Sequence, residues 1–339
     1  MTAEEFNHIQ TAHCENGVTV NLLKMKGLDF FTEPLAFGIG AGLFYIHVPF
    51  LKINKGPAIS FRSMPGQIFK RTCKSLDIDV VHKRFKSTEN AQSFLDDKIN
   101  AGQPVGCQVG VFHLMYFPKS YRFHFNAHNL IIYGKEDGKY LISDPIMEVT
   151  TTLTEAELEK VRFAKGPFAP KGHIYYPEKV GEISDELLRK AIVKGIKSNV
   201  RMMIQIPSVR AGARGIKFTA GQITKWRSKH GEKKAGLFLG QIVRMQEEIG
   251  TGGGGFRFLY AAFLEQAADK LQDDRLIKIS EQLTKSGDLW RDSALQMAGI
   301  YKGRITSQKD FEDSANILKE ISALEKEAFQ DLKALKLKY

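Results

Sequence analysis

The sequence predicts an α+β domain over residues 1–178, followed by a mainly α-helical domain over residues 179–339. Three observations support this division. The chain of 339 residues is longer than one hydrophobic core usually supports, so two domains are expected. In the first part a helix precedes a run of strands, and Asp137-Gly138 between two of them is a strong hairpin signal. In the second part apolar residues such as Ile317, Ile321 and Leu324 recur at helical spacing.

The predicted helices of the first domain carry recognisable start or stop signals. Val18 and Leu22 lie on one face of the first helix. Pro65 suits the first turn of the second, and Thr88 suits the N-cap of the third, which stops at Gly102. The predicted helices span residues 15–26, 65–75 and 88–101. The predicted strands, identified from apolar or alternating runs, span residues 59–62, 78–85, 104–111, 126–134 and 139–143.

Residues 35–51 form the only candidate for a membrane span. The segment is shorter than the roughly 20 residues that a bilayer requires. It also contains three glycines and His47, which are unlike a membrane span. We therefore predict a buried core element here and no membrane span.

The composition indicates a soluble cytoplasmic protein. The hydrophobic fraction of 43% and the charged fraction of 26% are ordinary for a soluble fold. Three cysteines without regular spacing fit neither a disulfide framework nor a zinc site. Residues 1–5 are acidic in character and are not followed by an apolar core segment, so no signal peptide is expected.

The net charge of +11 is concentrated between residues 189 and 234. Glu232 is the only acidic residue in this stretch, which raises the local concentration of an acidic partner. Nucleic acid is not expected, because zinc-finger spacing is absent and Phe218 and Trp226 are the only aromatics. An acidic protein and a solvated face remain open. The thirteen basic residues are Arg189, Lys190, Lys194, Lys197, Arg201, Arg210, Arg214, Lys217, Lys225, Arg227, Lys229, Lys233 and Lys234.

Cys14, His128 and Asp144 are the candidate catalytic residues. Cys14 would open a buried helix, whose N-terminal partial positive charge favours a thiolate. His128 begins one predicted strand, and Asp144 follows the next. A thiol on an early helix with His and Asp on a later hairpin is the chain order of a papain-like triad. In such a triad the imidazole takes the thiol proton and the carboxylate fixes its tautomer. Cys73 and Cys107 fit buried structural positions instead.

Further residues are candidates for binding. An oxyanion site needs donors aimed at the developing charge, and Gln10 is the preferred side chain, with Thr11 and Asn16 as competitors. His113 and His124 flank a loop that could line a substrate entrance. Tyr116 is assigned to the same substrate-binding group. A metal site is not expected.

A glycine run at residues 250–255 leads into a strongly apolar helix. It lacks the Gly-Lys-Ser/Thr of a nucleotide-binding P-loop. Glycines that feed a helix can form an anion nest, so Gly252, Gly253 and the nearby Arg257 are candidate substrate-binding residues. A flexible helix connection is the alternative.

These motifs together resemble the butirosin biosynthesis protein H N-terminal domain family and the helical domain that usually follows it. The pieces that carry the resemblance are His13-Cys14, the segment 37–45, Gly102-Gln103-Pro104-Val105, His113-Leu114, His128 with its strand, and Asp144-Pro145. In the second half they are Gly250-Thr251-Gly252-Gly253, Phe256-Arg257 and the segment 259–264.

The resemblance implies a papain-like, cysteine-peptidase-like N-terminal fold and an acyltransferase activity. Cys14 would be the nucleophile, His128 the base and acid, and Asp144 the orienting residue. An acyl or aminoacyl group would move from an acyl carrier protein thioester, through a Cys14 thioester, to an amine or hydroxyl of a small acceptor. This is chemistry of antibiotic and other secondary-metabolite biosynthesis.

The resemblance also implies partners. The acidic carrier protein would dock on the basic stretch 189–234, and its phosphopantetheine arm would be the donor, with no bound cofactor. Apart from the resemblance, the sequence leaves the oligomeric state open, although the long helices of 273–339 could form a homo-oligomer interface. Two alternatives stay open: a papain-like hydrolase (peptidase, amidase or thioesterase), and a non-catalytic protein that binds a carrier.

Overall fold

The computed structural model describes residues 6–53 and 56–338, which divide into two compact units. The first unit comprises the described residues of Met1–Ala36 together with Ile68–Ile183. The second comprises Phe37–Gln67 together with Ser184–Tyr339, as far as they are described. Residues 1–5, on which the expectation of no signal peptide rests in part, lie outside the described residues.

Eleven α-helices and eight strands are numbered here in chain order within the described residues. The helices are α1 (Cys14–Lys24), α2 (Glu33–Ile39), α3 (Gln67–Ser75), α4 (Thr88–Asn100), α5 (Glu155–Arg162), α6 (Asp185–Val200), α7 (Gly212–His230), α8 (Glu232–Val243), α9 (Arg257–Leu271), α10 (Arg275–Tyr301) and α11 (Gln308–Ala334). The strands are β1 (Leu43–Ile53), β2 (Gly56–Arg62), β3 (Asp79–Lys83), β4 (Val105–Val109), β5 (His128–Glu136), β6 (Lys139–Ser143), β7 (Thr151–Thr154) and β8 (Ile174–Lys179).

The first unit is built on a six-stranded antiparallel sheet with strand order β3-β8-β4-β5-β6-β7. The hairpin predicted at Asp137-Gly138 joins β5 to β6, and both residues have positive φ, at 48° and 74°. That conformation is what a tight two-residue hairpin requires. The hairpin places the start of β5 and the end of β6 side by side, at the same end of the two strands.

One face of this sheet carries the main core of the unit. Side chains from α4 and α5 pack there against alternate residues of the strands, among them Leu130 and Ile132 of β5. Helix α1 lies against the opposite face. The approach is close at Gly106 of β4, where an added Cβ would lie 2.9 Å from Val18 Cγ1 and 2.6 Å from the Tyr175 ring. The fold is therefore α+β, with Cys14 at the end of a helix that rests on the sheet.

The second unit combines the β1–β2 hairpin with helices α6–α11. The start of α7 is tied to β1, because His47 N–H donates to the Arg210 carbonyl at 3.0 Å and Ile46 bridges to Ala211. Close packing continues at Gly195, where an added Cβ would lie 2.5 Å from the Gly38 carbonyl oxygen. This unit is mainly α-helical, as the sequence predicted.

The apolar segment 35–51 is a helix, a turn and a strand rather than one element. Its residues up to Leu43 are buried, as predicted for a core element, whereas Phe50 and Leu51 at its end are exposed. Across the described helices, none is both long and apolar enough to cross a bilayer.

The observed division differs from the predicted domains 1–178 and 179–339 in one segment. The last of the three boundaries lies between Ile183 and Ser184, five residues after the predicted boundary at 178/179. Phe37–Gln67, however, belongs with the helical unit. The contacts responsible join β1 to helices more than 150 residues later along the chain, which no local sequence pattern reveals.

Candidate active site

Cys14 is the first residue of α1 and is 7% exposed. His13 is the N-cap, and its Nδ1 accepts a hydrogen bond from Asn16 N–H at 3.3 Å. The Glu33 carboxylate accepts the backbone N–H groups of Ala12 and His13 at 2.9 and 2.8 Å. The N–H of Cys14 belongs to the first turn, whose N–H groups have no acceptor inside the helix. The thiol therefore sits at the positive end of the α1 dipole.

The residues that precede α1 are hydrogen-bonded to the segment that contains Asp144. Thr11 N–H donates to the Pro145 carbonyl at 2.7 Å. The His8 ring hydrogen-bonds Ser143 Oγ at 2.8 Å and the Met147 carbonyl at 3.0 Å. These bonds bring the start of α1 to the end of β6, so the thiol and the carboxylate approach each other.

Gly17 permits this approach. A Cβ at this position would lie 2.1 Å from Thr11 Oγ1 and 2.3 Å from Pro145 Cβ, closer than real atoms come. Only glycine lets α1 rest on Pro145.

We expect Gly17→Ala to destabilise the protein by about 1–3 kcal/mol, because the methyl group has no space. The displaced helix should also slow modification of Cys14 by iodoacetamide. Chemical denaturation and peptide-resolved alkylation measure the two effects. Gly221→Ala is the matched control, since Gly221 also lies in a helix but has nothing within 4 Å of its added Cβ. It should be neutral or slightly stabilising. Equal behaviour of the two variants would contradict the close contact.

His128 and Asp144 form a buried ion pair. His128 Nε2 lies 2.7 Å from Asp144 Oδ2, and the two residues are 4% and 0% exposed. Cys14 is close enough to His128 to contribute to raising its pKa. Because Nε2 is bound to Asp144, Nδ1 is the ring nitrogen left for the thiol.

The electrostatics favour a charged imidazole. Burial by itself lowers the pKa of His128, but Asp144 and then Cys14 outweigh it, so the pKa is raised above its ordinary value of 6.5. A protonated His128 beside a thiol is the arrangement that supports a thiolate–imidazolium pair.

Tyr116 contacts Asp144, although the sequence predicted that it would bind substrate. Its hydroxyl donates to Asp144 Oδ2 at 2.8 Å. Burial, with a further contribution from the Asp144 charge, raises the pKa of Tyr116 well above its ordinary value, so the hydroxyl stays protonated. Phe117 meets the His128 ring edge-on, with centroids 5.3 Å apart. The loop that contains Tyr116 and Phe117 therefore packs against the His128–Asp144 pair and stabilises it.

Asn129 is the residue that the sequence reasoning missed. Its Nδ2 lies 3.8 Å from Cys14 Sγ, and its Oδ1 accepts the Tyr175 hydroxyl at 2.8 Å. It directly follows His128, and strand alternation sends neighbouring side chains to opposite faces, so no local signal indicated that both residues belong to the site.

The three predicted oxyanion donors, Gln10, Thr11 and Asn16, all lie in the described part of the chain, and their role stays a prediction. Gln10 is exposed, and its side chain makes no hydrogen bond with the described part of the chain. Asn16 directs its Nδ2 to Glu33 at 3.4 Å. Thr11 Oγ1 donates to the His13 carbonyl at 3.3 Å. In this structure none of the three side chains hydrogen-bonds to Cys14.

His113 and His124 are exposed and share one neighbour, Phe112. The Phe112 ring stacks on His124 with centroids 4.2 Å apart and meets His113 at 5.0 Å. The two histidines thus lie in one exposed aromatic group, on the loop that includes Tyr116. Their role at a substrate entrance stays a prediction.

Arg257 does not line a binding site, so the predicted substrate-binding role is wrong. It is fully buried in the second unit and forms a two-pronged ion pair with Glu325, at 2.8 and 2.9 Å. Its third nitrogen donates to the Gly255 carbonyl at 2.6 Å. Every nitrogen of the guanidinium is committed to the chain itself.

The glycine run likewise binds groups of its own chain. Gly254 N–H donates to both oxygens of Glu247, at 3.2 and 3.3 Å. Gly253 N–H donates to Thr251 Oγ1 at 3.0 Å. A carboxylate of the chain thus occupies the N–H group of Gly254 and a hydroxyl that of Gly253, so neither group is left for a substrate anion. The substrate-binding role of Gly252 stays a prediction. Gly252 and Gly253, with φ of 68° and 85°, serve the turn into α9.

No group of three or more potential metal ligands occurs among residues 6–53 and 56–338.

The fold and the site define a class. A cysteine at the start of a helix that packs on an antiparallel sheet, with His at the start of one strand and Asp directly after the neighbouring strand, is a papain-like arrangement. The first unit is therefore a papain-like domain of the cysteine-enzyme type.

Family comparisons agree with this class. The model "Butirosin biosynthesis protein H, N-terminal" matches residues 13–145, and "Domain of unknown function (DUF4872)" matches residues 156–332, more than half of the chain. The chain belongs to the DUF4872 family, whose model spans more than half of it, and the match to the butirosin biosynthesis protein H N-terminal domain lies ahead of that region.

Among solved structures, the chain is similar to a protein described as a C39-like peptidase from Bacillus anthracis. The two are 16% identical with a TM-score of 0.35, and the similarity covers 52% of this chain and 96% of the other. A search of curated proteins gives no match.

Proposed function

We propose that this protein is an acyltransferase of secondary-metabolite biosynthesis that works through a thioester on Cys14. The donor would be an acyl carrier protein thioester, and the acceptor an amine or hydroxyl of a small molecule. The family name, which refers to butirosin biosynthesis, supports the biosynthetic setting.

The observation that carries the proposal is the buried cluster of Cys14, His128 and Asp144. A thiol at a helix N-terminus, beside an imidazole held by a carboxylate, is an activated nucleophile. All three residues are nearly inaccessible to solvent, with exposures of 7%, 4% and 0%. Exclusion of water favours transfer to a bound acceptor over hydrolysis.

The chemistry balances without a cofactor. The Cys14 thiolate attacks the donor carbonyl, the carbon–sulfur bond to the phosphopantetheine arm breaks, and the departing thiolate takes the proton of His128. The acceptor amine then attacks the Cys14 thioester and loses a proton to His128, and the Cys14 thiolate leaves. One thioester replaces another in the first step, so catalysis needs only positioning and stabilisation of the developing charge.

The basic stretch 189–234 supports an acidic carrier as partner. All thirteen of its basic residues except Arg227 are exposed. Within the described residues, salt bridges engage only Lys190, with Glu186, and Arg227, with Glu232. An exposed positive surface with few salt bridges of its own speeds encounter with an acidic protein.

Intact-protein mass spectrometry tests the proposal. The protein is mixed with an acylated carrier protein or a short acyl thioester, and an amine is added afterwards. We expect an acyl adduct on Cys14 that persists until the amine is added, and no adduct on Cys14→Ala. Cys73→Ala is the matched control and should acylate normally, because burial raises the pKa of the Cys73 thiol far above its ordinary value.

Other outcomes would replace the proposal. Rapid loss of the thioester as free acid, without added amine, would indicate a hydrolase. An unmodified Cys14 with an intact donor would indicate a binding protein.

A further inference from the structure

The side-chain amide of Asn129 lies against the sulfur of Cys14. We infer that Asn129 stabilises the Cys14 thiolate and fixes the direction of its sulfur, and that Tyr175 positions Asn129 for this task. The inference rests on the proposed role of Cys14 as nucleophile. It begins from the Asn129 Nδ2 to Cys14 Sγ distance of 3.8 Å, which is within hydrogen-bonding range for sulfur.

The pleat of β5 aims Asn129 at α1. Successive side chains of a strand point to opposite faces. Leu130 and Ile132 point into the core on the far side of the sheet. Asn129 therefore shares the other face with Ile131, whose partner on β4 is Gly106. That is the face on which Val18 of α1 rests.

The orientation of the amide is fully determined by its neighbours. Oδ1 accepts the Tyr175 hydroxyl at 2.8 Å, and the NH₂ group faces the Ala127 carbonyl oxygen, which can only accept. Nδ2 carries two protons: one is donated to the Ala127 carbonyl at 3.2 Å, and the other points to Cys14 Sγ. Asn129 and Tyr175 are only 4% and 3% exposed, so water hardly competes for these bonds. A rotated amide would present an oxygen both to the sulfur and to the Ala127 carbonyl oxygen, with no proton between them.

The amide serves both halves of the proposed reaction. A hydrogen bond to a charged acceptor is stronger than one to a neutral acceptor, so the N–H favours the thiolate over the thiol. More thiolate at neutral pH speeds attack on the donor. When the amine attacks the Cys14 thioester, the same N–H stabilises the departing sulfur. Asn129 thus complements His128, which handles the proton.

Alkylation of Cys14 by iodoacetamide across pH 5–10, followed by peptide mass spectrometry, tests the inference. For Asn129→Ala we expect the pH of half-maximal alkylation rate to rise by about one unit or more. Below that pH, where the rate still increases with pH, this corresponds to about a tenfold loss of thiolate. Tyr175→Phe should raise the pH of half-maximal rate by less. Asn90→Ala removes an exposed amide on α4 and should leave the profile unchanged.

Asn129→Asp provides a second variant of the same size. Its carboxylate can still accept the Tyr175 hydroxyl, but it repels a thiolate, so the upward shift should exceed that of Asn129→Ala. If neither Asn129 variant folds, Tyr175→Phe decides by itself. A purely structural role would slow alkylation without moving its midpoint.

The outcomes separate the inference from the proposed function. Unchanged midpoints in the folded variants would overturn the inference even if acyl transfer occurs. Shifted midpoints without acyl transfer by the unmodified protein would support the inference and reject the transferase. A Cys14 no more reactive than Cys73 in the unmodified protein would overturn both.

Discussion

Asp144→Asn should lower the rate at which Cys14 is acylated by about 10²–10⁴-fold, as loss of the orienting carboxylate does in triads of this kind. Asp144 Oδ2 accepts bonds from His128 Nε2 and the Tyr116 hydroxyl, and Oδ1 accepts one from Ile146 N–H at 3.3 Å. An amide can accept at only one oxygen, so the tautomer and direction of His128 are no longer fixed. Single-turnover acylation with a short acyl thioester measures the loss.

The same variant should change the pH dependence. Burial lowers the pKa of His128 and Asp144 raises it, so removal of the carboxylate charge should lower the pKa of His128. The imidazolium should then be lost at lower pH, and the alkaline limb of the rate should move to lower pH. The His128 pKa rises on folding, so its stabilising contribution is complete below 6.5 and disappears as pH increases through the raised value. Asp144→Asn should reduce this acid-side contribution.

Asp137→Asn provides the control, because Asp137 is an exposed carboxylate in the neighbouring hairpin turn. It should acylate at the rate of the unmodified protein. If Asp144→Asn also acylated at the rate of the unmodified protein, and its rate fell at the same alkaline pH, Asp144 would not be the orienting residue.

Local signals were sufficient for the elements that carry the site. Apolar spacing predicted a helix near Cys14, and Asp137-Gly138 predicted the hairpin. The strand predicted at 126–134 corresponds to β5, and that at 139–143 to β6. Because a hairpin fixes which strand ends meet, the proximity of His128 and Asp144 followed from sequence. Their proximity to Cys14 depended on a tertiary contact, through Gly17 and Pro145.

Residues that act through contacts distant in sequence were not predicted. Asn129 is visible only once the faces of β5 are known, and Glu33 stabilises the start of α1 from 20 residues away. Strands β7 and β8 were also missed. β8 contains Pro177, which sequence patterns disfavour inside a sheet.

The prediction of an anion-binding site at Gly253 and Arg257 was wrong for a related reason. Glycines followed by arginine at a helix start are typical of anion binding, and the same pattern also fits a helix connection. The carboxylates that satisfy these donors are Glu247 and Glu325, and Glu325 comes 68 residues after Arg257. A local motif cannot show that its charge is already neutralised.

This correction leads to a prediction with a large effect on stability. Arg257→Met should destabilise the second unit by about 3–5 kcal/mol, because it leaves the buried Glu325 carboxylate without its cation. Both side chains are fully buried, and Glu325 also accepts bonds from Ser286 Oγ and Trp290 Nε1, each at 2.8 Å. Tryptophan fluorescence during denaturation measures the effect, since Trp226 and Trp290 both lie in this unit.

The double variant Arg257→Met with Glu325→Gln should recover much of the lost stability. A neutral glutamine side chain at position 325 would need no cation, and its oxygen can still accept the bonds from Ser286 and Trp290. Arg304→Met, at an exposed position of the same unit, is the control and should change stability by no more than about 0.5 kcal/mol. If Arg257→Met kept normal stability but lost acyl transfer, the buried pair would not be structural. Arg257 would then have to be reconsidered as a group that binds the donor.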